Sequence, residues 1–414
     1  MTTTARTEDT EDATPADALT PPEDWPSLHK VLAPFIDRAD WLPEQVRTDP
    51  QLRQELNVFL AYVNATAYFY NLYHDVEYPD FWPCYGTGFP IGFNNPDDVY
   101  LITAIDDQGV YRISGDRGTV RILEFEIGSS PMQTWGYGEF TTSVRDYEPD
   151  RDVHVGEDGS FEVILSSPAN RPDGHTGDWW EIQPGAMFIM VRKRSYDWIN
   201  EIDPRLAIDR LDVPALRPRR TADEIARRVD MLHETLRNWA FKMAAWYNSL
   251  ERRNLVNKVE PYSTLGGIAA QTYHHGLFDI EPDEALILDT DVPETCRYWM
   301  FHLTDQMMSS IDQIHRPTSI NGYQAHLDSD GRFRAVISIA DPGVPNWLDT
   351  GGHQRGAISG RWWAPSSIPE PLITKVKLSE VRQHLPADTP VVTPEQRDAS
   401  VRQRRKGAQY RGRW

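Results

Sequence analysis

The sequence is poor in cysteine: its 414 residues include only Cys84 and Cys296, and these two do not form a Cys-x-x-Cys motif. Two thiols cannot build the disulfide framework of a secreted domain, so a reducing, cytoplasmic location is predicted. Long apolar runs are also missing, since no window approaches the roughly 18 consecutive apolar residues that a membrane-spanning helix needs. We therefore expect neither a membrane-embedded chain nor a membrane partner.

Basic residues are in deficit, with 42 lysines and arginines against 62 acidic residues and a formal net charge of −20. Nucleic-acid binding depends largely on neutralising phosphates, so a nucleic-acid partner is not expected. The N-terminus is acidic where a secretory signal needs basic residues followed by an apolar stretch, which argues against export by that route. Only the C-terminal end is rich in arginine.

Apolar and aromatic residues, at 40% and 11% of the chain, are sufficient for a large core. A chain of this length predicts two packed units. The boundary between them is expected near Pro214 and Pro218, just before a helical segment. We predict an acidic disordered arm (1–24), an N-terminal helix plus β-rich half (25–215), a long helix plus C-terminal β-rich half (216–392) and a basic disordered tail (393–414).

Capping residues indicate two long amphipathic helices. Asp49 and Pro50 can start the first, after which apolar residues recur at helical spacing as far as Tyr70. The second begins with a capping box, Thr221 and Glu224, and its apolar residues then follow at alternating steps of four and three. Such a seam fits packing within the chain or a coiled-coil homo-oligomer; we favour packing within the chain.

Outside the helices, short alternating segments separated by turn residues predict antiparallel strands. The fold class is therefore mainly β with α (α+β). Residues 99–105 and 110–114, joined by a turn at 106–109, are predicted to form a hairpin. No repeat of short period is present, and the two halves do not resemble each other in sequence.

Several motifs of the C-terminal half carry a family resemblance: Arg297-Tyr298-Trp299, Ser319-Ile320-Asn321-Gly322, Val336-Ile337-Ser338, the run Asp341–His353, and Arg361-Trp362-Trp363. They resemble the core of the bacterial domain-of-unknown-function family 1214 (DUF1214), whose members are often joined to a domain numbered 1254. No clear 1254-type segment is present, although residues 95–100, 111–115 and 179–197 resemble the other half of some members. The resemblance implies β-sandwich or jelly-roll-like halves, and it brings no established activity.

The loop from Asp341 to His353 concentrates polar side chains between two strands, as binding loops often do. Asp349 can orient His353 as a general acid or base, with Arg361 holding developing negative charge; these three are the predicted catalytic residues. Asp349 can equally cap the loop backbone, and Trp347 can equally fill the core. Asn321, Asn346 and Trp347 are predicted to bind ligand.

A second polar group lies in the N-terminal half. Asn95, Asp97 and Tyr100 are predicted ligand-binding residues, because they enter a strand where they can meet the C-terminal loop across the two halves. An Asn-Pro-Asp turn is the simpler interpretation. A single Asp-x-x-x-His spacing is common by chance, so no metal and no cofactor are predicted.

These features support a hypothesis of a cofactor-independent hydrolase or lyase that acts on a small organic or carbohydrate substrate in a cleft between the β halves. The alternative is a non-catalytic protein that binds a ligand or self-assembles through the same surfaces.

Overall fold

The computed structural model describes residues 42–84, 86–129, 143–262 and 270–412. Within these residues, eighteen strands form four sheets, accompanied by helices. The predicted fold class, mainly β with α, is therefore confirmed. The acidic arm predicted over residues 1–24 lies outside the described residues. In the described part of the chain, no helix is both long and apolar enough to cross a bilayer.

The first sandwich contains the strands β1 (Trp82–Pro83), β2 (Asp98–Ala104), β3 (Val110–Asp116), β4 (Ile122–Gly128), β5 (Ser143–Tyr147), β6 (Ser160–Ser166), β7 (Trp179–Glu181), β8 (Phe188–Arg194) and β9 (Arg205–Arg210). One sheet has the order β1-β2-β8-β4-β5, and the other has the order β7-β6-β3-β9. Alternate residues of β4, Leu123, Phe125 and Ile127, point into the core between these sheets. The other residues of β4 therefore lie on the opposite face.

The second sandwich contains the strands β10 (Lys258–Tyr262), β11 (Gln271–Asp279), β12 (Glu284–Thr290), β13 (Tyr298–Thr304), β14 (Ser319–Asn321), β15 (Phe333–Ser338), β16 (Trp347–Asp349), β17 (Arg355–Trp363) and β18 (Leu372–Lys377). Its sheets have the orders β10-β11-β17-β13-β14 and β16-β15-β12-β18. Ile358 and Trp362 of β17 belong to its core.

The two sandwiches repeat one topology, because adding nine to each strand number of the first gives the strand order of the second. Even the parallel pairs correspond, β6 with β7 in the first and β15 with β16 in the second. The halves thus share a fold that their sequences do not reveal.

The helices are α1 (Glu44–Thr48), α2 (Pro50–Tyr68), α3 (Pro149–Asp152), α4 (Ala222–Arg252) and α5 (Pro394–Tyr410), with a π-helical turn at Phe69–Tyr73 and 3-10 turns at Pro168–Asn170 and Leu378–His384. The Asp49 carboxylate accepts hydrogen bonds from the first turn of α2, and the Thr221 hydroxyl accepts one from Glu224 at the start of α4. Both predicted helices are confirmed.

The apolar seam of α4 packs within the chain. Leu236, Trp239 and Met243 are buried in one cluster with Phe59 and Val63 of α2. This burial supports the interpretation that the apolar seam of α4 packs against other parts of the same chain. The first turn differs from the prediction, because Ile225 is exposed.

The predicted hairpin over residues 99–114 is wrong. β2 pairs with β1 and β8, whereas β3 pairs with β6 and β9 in the opposite sheet. The turn at 106–109 is thus a corner between the two sheets of the sandwich. Turn residues flanked by alternating strands do not distinguish a hairpin from such a corner.

The prediction of a disordered tail over residues 393–414 is corrected: most of this segment forms the helix α5. Thr393 and Gln396 form a full capping box with Pro394 in the first turn. The basic side chains find partners on the body: Arg397 pairs with Asp341 at 2.8 Å, and Arg411 donates to the carbonyls of Pro96 and Asp97. A basic helix on an acidic body is ordered by contacts that composition alone does not show.

Candidate active site between the two sandwiches

The five-stranded sheets of the two sandwiches face each other. Arg194 of β8 donates to Gln271 of β11 at 2.9 Å and lies over the rings of Tyr298 and Trp363. Ile122 of β4 packs in one cluster with the same two aromatic residues. We call the side chains between these sheets the interface layer.

The interface layer contains two corresponding rows of side chains. In the first sandwich, Arg192 is flanked across the strands by Tyr100 and Glu124. In the second, Arg361 is flanked in the same way by Tyr273 and Met300. The guanidinium carbon of Arg192 lies 6.0 Å from the centre of the Tyr100 ring. The corresponding distance from Arg361 to the centre of the Tyr273 ring is 5.8 Å. The rows differ in one decisive way: methionine replaces the glutamate beside Arg361.

The first row has an excess of carboxylates. Arg192 donates to Glu124 at 2.8 Å and to Glu126 at 2.5 Å, and both glutamates are fully buried. The Oε1 atom of each has no hydrogen-bond partner among the described residues. Burial raises the pKa of Glu124 to about 8, against the opposing charge of Arg192 and with the help of Glu126. Burial also raises the pKa of Glu126. Because one guanidinium cannot neutralise two buried carboxylates, the pair holds a proton near neutral pH.

Glu124 gives the protein a testable pH dependence. Its folded pKa is raised above the unfolded value near 4.5, so its contribution to stability is complete below pH 4.5 and is lost as the pH rises through about 8. Glu124→Gln stays neutral and keeps Glu126 as the partner of Arg192. We expect the melting temperature of the wild type to fall between about pH 5 and 8 more steeply than that of this variant. Parallel pH profiles for the two proteins would contradict the assignment.

The second row has an excess of positive charge. Arg361 is only 5% exposed, and it donates through Nη2 to the carbonyl oxygen of Phe93. Its Nε and Nη1 atoms have no acceptor among the described residues, and none of those residues forms an ion pair with it. A buried guanidinium normally has a carboxylate partner, since its desolvation is costly. Within the described part of the chain, Arg361 therefore has two donor atoms without an acceptor.

The residues around Arg361 are aromatic and strained. Phe93 is buried with a φ of 55°, a left-handed conformation that costs a bulky residue of order 1–3 kcal/mol. Its ring contacts the rings of His275 and His302 at 4.8 and 6.1 Å. Burial lowers the pKa of His302, and the charge of Arg361 lowers it further. Both ring nitrogens of this neutral imidazole lack partners within the described chain. Strain of this kind gathers at functional sites.

Tyr273 connects the two rows. It is part-exposed, and burial raises the pKa of its phenol, with Arg192 and Arg361 acting to lower it and Glu126 acting to raise it. The phenol therefore lies within the field of both guanidiniums and of one carboxylate. A phenol in this position can donate or accept a proton between the carboxylate pair and a ligand on Arg361.

A cavity of about 170 Å³ borders the layer at Asp98 and Tyr100. Its other walls include Phe89 and Arg411. Asp98 itself is fully paired, because Arg194 donates to both of its oxygens at 2.7 and 2.8 Å. Burial alone would raise the pKa of Asp98, but Arg194, and more weakly Arg361 and Arg192, lower it. Asp98 is thus a structural anion rather than an acid.

Three predicted ligand-binding residues meet beside the layer. Asn95 donates to the Tyr298 hydroxyl at 2.8 Å, this hydroxyl donates to Asp97 at 2.7 Å, and Asn321 donates to Asp97 at 2.9 Å. The expected meeting across the halves does occur. These partners satisfy one another, however, so the group ties the sandwiches together. Tyr100 accepts a hydrogen bond from the Asn95 backbone at 3.0 Å and continues into the layer.

The three predicted catalytic residues lie in separate surroundings. Asp349 accepts from the Gly351 backbone and pairs with Arg316 at 3.3 Å. His353 lies 4.0 Å from Glu55 in an open groove of about 750 Å³. Arg355, two residues after His353, begins β17, and Arg361 lies six residues further along this strand. At the rise of a strand this separates Arg361 from Arg355 by roughly 20 Å. Asp349 thus serves the loop backbone, and a catalytic role for His353 stays a prediction.

The other two predicted ligand residues lie near α5. Asn346 donates to the carbonyls of His326 and Arg334, and Trp347 donates to the carbonyl of Ser338. Both line a cavity beneath α5.

Sequence reasoning missed Glu124, Glu126, Arg192 and Tyr273. The signal was present in β4, where charged residues alternate with apolar ones, as in Leu123-Glu124-Phe125-Glu126-Ile127. Such alternation normally indicates a solvated outer face. Here the second sandwich covers that face, which no local pattern predicts.

Residues 279–367 match the family model DUF1214, described as a protein of unknown function. This segment is similar to the DUF1214 family. The resemblance seen in the sequence is thereby confirmed, and the DUF1214 segment supplies Tyr298, His302 and Arg361 to the layer. The chain is also similar to an uncharacterised protein from Burkholderia cenocepacia of known crystal structure, with 26% identity, a TM-score of 0.75, and coverage of 85% of this chain and 98% of that one.

A second solved structure, the VPA0106 protein from Vibrio parahaemolyticus, is 11% identical with a TM-score of 0.46, covering 77% of this chain and 98% of that one. The comparison with curated proteins gives no match. In the described part of the chain, no cluster of three or more histidine, cysteine or acidic residues is placed to hold a metal ion.

Proposed function

We propose that the interface layer binds a small organic acid and transfers a proton to or from it, as a cofactor-independent lyase or hydrolase. One observation carries this proposal: corresponding positions of the two sheets hold a guanidinium with two carboxylates and a guanidinium with none. The layer would recognise the negative charge of the substrate carboxylate and not the rest of the molecule. The substrate class therefore includes sugar acids.

Arg361 is assigned to the substrate carboxylate. Its Nε and Nη1 atoms lack acceptors among the described residues, so either can donate to a carboxylate, and burial strengthens such a charge-assisted hydrogen bond because water does not compete. The ligand would supply the negative charge that the pair of Glu124 and Glu126 supplies to Arg192. The neutral His302 lies nearby and can donate a further hydrogen bond.

Glu124 and Glu126 are assigned to proton transfer. A pair of carboxylates that shares a proton near neutral pH can act as acid or base, as the pKa of about 8 for Glu124 indicates. Tyr273 would relay the proton, because its phenol lies within the influence of both Glu126 and Arg361. Lyases and hydrolases both require such a group beside a fixed substrate.

The runner-up is a ligand-binding protein without turnover, which would use Arg361 in the same way and Glu124 and Glu126 only as a charge balance for Arg192. The two functions differ in a single measurable property. Only the enzyme exchanges a carbon-bound proton of the ligand with solvent or breaks a bond in it.

The experiment is a thermal-shift screen of small carboxylic acids with the full chain, followed by proton NMR of each ligand found, recorded in heavy water. The proposal predicts exchange or turnover that slows at least tenfold in Glu126→Gln, while the ligand still binds. Glu162→Gln, at an exposed position of β6, is the matched control and should behave as wild type. Binding without exchange or turnover at pH 6 to 9 would leave only the runner-up, and a screen without any carboxylate ligand would refute both.

A further inference from the structure

A second cavity, of about 280 Å³, lies beneath α5, and the layer's guanidiniums Arg192 and Arg361 are not among the residues that line it. Its walls come from three parts of the chain: the turn at 196–199, the edge near β14 and β16, and one side of α5. The side chains that matter for its chemistry are those of Asp197, Tyr323, Gln324, Trp347, Ser400 and Arg404.

The walls of this cavity are fixed by contacts to both sandwiches. Arg397 holds the start of α5 to Asp341 and to the Val344 carbonyl, and Arg411 holds its end to the Asp97 carbonyl. Trp347 is held through its indole N–H by Ser338 at 3.2 Å. A site whose walls are already ordered loses little conformational entropy when a ligand binds.

The charges that face the cavity are balanced. Arg404 donates only to neutral acceptors, the Gln313 carbonyl at 2.8 Å and the carbonyl and hydroxyl of Ser319, and it forms no ion pair with any described residue. Asp197 supplies the opposite charge, and it accepts hydrogen bonds from the Ile199 backbone and from Asn200. A second cation of the wall, Arg397, is already paired with Asp341, so the remaining charges of Arg404 and Asp197 balance and favour a neutral ligand that both donates and accepts hydrogen bonds.

Size and aromatic surface narrow the ligand further. Ligand pockets usually measure about 300–1,000 Å³, so a volume of about 280 Å³ suits a ligand about the size of one ring. The ring of Tyr323 is 61% exposed at the rim, and Trp347 lies in the wall. Tyrosine and tryptophan offer an apolar face beside polar groups, which suits the apolar face and hydroxyl edge of a sugar ring.

We propose that this cavity binds a single neutral sugar ring, with the exposed ring of Tyr323 as the stacking surface and Asp197, Gln324 and Arg404 as hydrogen-bonding partners. The site is independent of proton transfer in the interface layer. It lies where α5 joins the two sandwiches, so occupancy would strengthen the attachment of α5.

The test is saturation-transfer NMR and calorimetry on the full chain with glucose, galactose, mannose and xylose, plus maltose and glucuronate as probes of size and charge. Ser400 lines the cavity from α5, so Ser400→Trp places a large side chain in it. Ala399→Trp places the same side chain on the neighbouring exposed position, outside the cavity. We expect at least one neutral monosaccharide to bind, with a tenfold or greater loss in Ser400→Trp and no change in Ala399→Trp.

Each other outcome overturns the proposal. No monosaccharide binding at millimolar concentration removes the ligand class, and equal binding by Ser400→Trp removes the site. Preference for maltose or for glucuronate contradicts the size or the charge argument. Arg361→Met, which alters only the interface layer, should keep full sugar binding, so that failure here and failure of the proposed function are distinguishable.

Discussion

Arg194→Met is expected to lower the free energy of unfolding by about 3–5 kcal/mol, because it leaves the buried carboxylate of Asp98 without its partner. Arg194 holds both oxygens of Asp98, donates to Gln271 and covers the rings of Tyr298 and Trp363. The loss therefore removes contacts between the two sandwiches as well as an ion pair. Urea titration followed by tryptophan fluorescence measures it.

The double variant Arg194→Met/Asp98→Asn is the control for this interpretation. It removes the unpaired charge, so it should recover part of the stability that the single variant loses. The contrary result is additivity: Asp98→Asn would then cost the same free energy of unfolding in the Arg194→Met background as in the wild type. Additivity would show that the two residues are not coupled and that their ion pair does not stabilise the layer.

Arg361→Met is expected to have the opposite effect on stability and the largest effect on binding. The variant loses one hydrogen bond to the Phe93 carbonyl, worth about 1 kcal/mol, but it removes a buried charge whose Nε and Nη1 atoms lack acceptors. Its stability should equal or exceed that of the wild type. Its affinity for a carboxylate ligand should fall by about a hundredfold or more, because truncating one partner of a buried charge pair costs 2–5 kcal/mol or more.

Arg361→Lys separates charge from geometry. It keeps the positive charge but cannot present two parallel donors, so carboxylate binding should be weak though measurable. Equal binding by the lysine and arginine proteins would show that the ligand needs only a nearby charge.

Sequence signals were reliable for features that depend on interactions between residues close together in the sequence. Asp49 and Thr221 cap helices through hydrogen bonds that their neighbours in sequence provide, and both helices begin where those residues predict. The motifs of the DUF1214 segment likewise include Arg361, whose predicted role of holding negative charge carries over into the proposed function.

What the sequence did not show depends on which surfaces meet. Glu124 and Glu126 have the alternation of a solvated strand, and only the packing of the second sandwich turns them into a buried acid pair. The correspondence between Arg192 and Arg361 is equally hidden, because it lies in strand register across two halves without similar sequences. The order of α5 depends on partners far along the chain, such as Asp341 for Arg397.

The most direct test of the central claim is the free energy of unfolding of Arg361→Met, measured beside the wild type with and without the carboxylate ligands that the screen identifies. The interface layer as a binding site predicts that the variant is at least as stable as the wild type without ligand and gains nothing when ligand is added, whereas the wild type is stabilised. A variant destabilised by 3 kcal/mol or more, or one that ligand stabilises as much as the wild type, would contradict the claim that Arg361 is held ready for an anion.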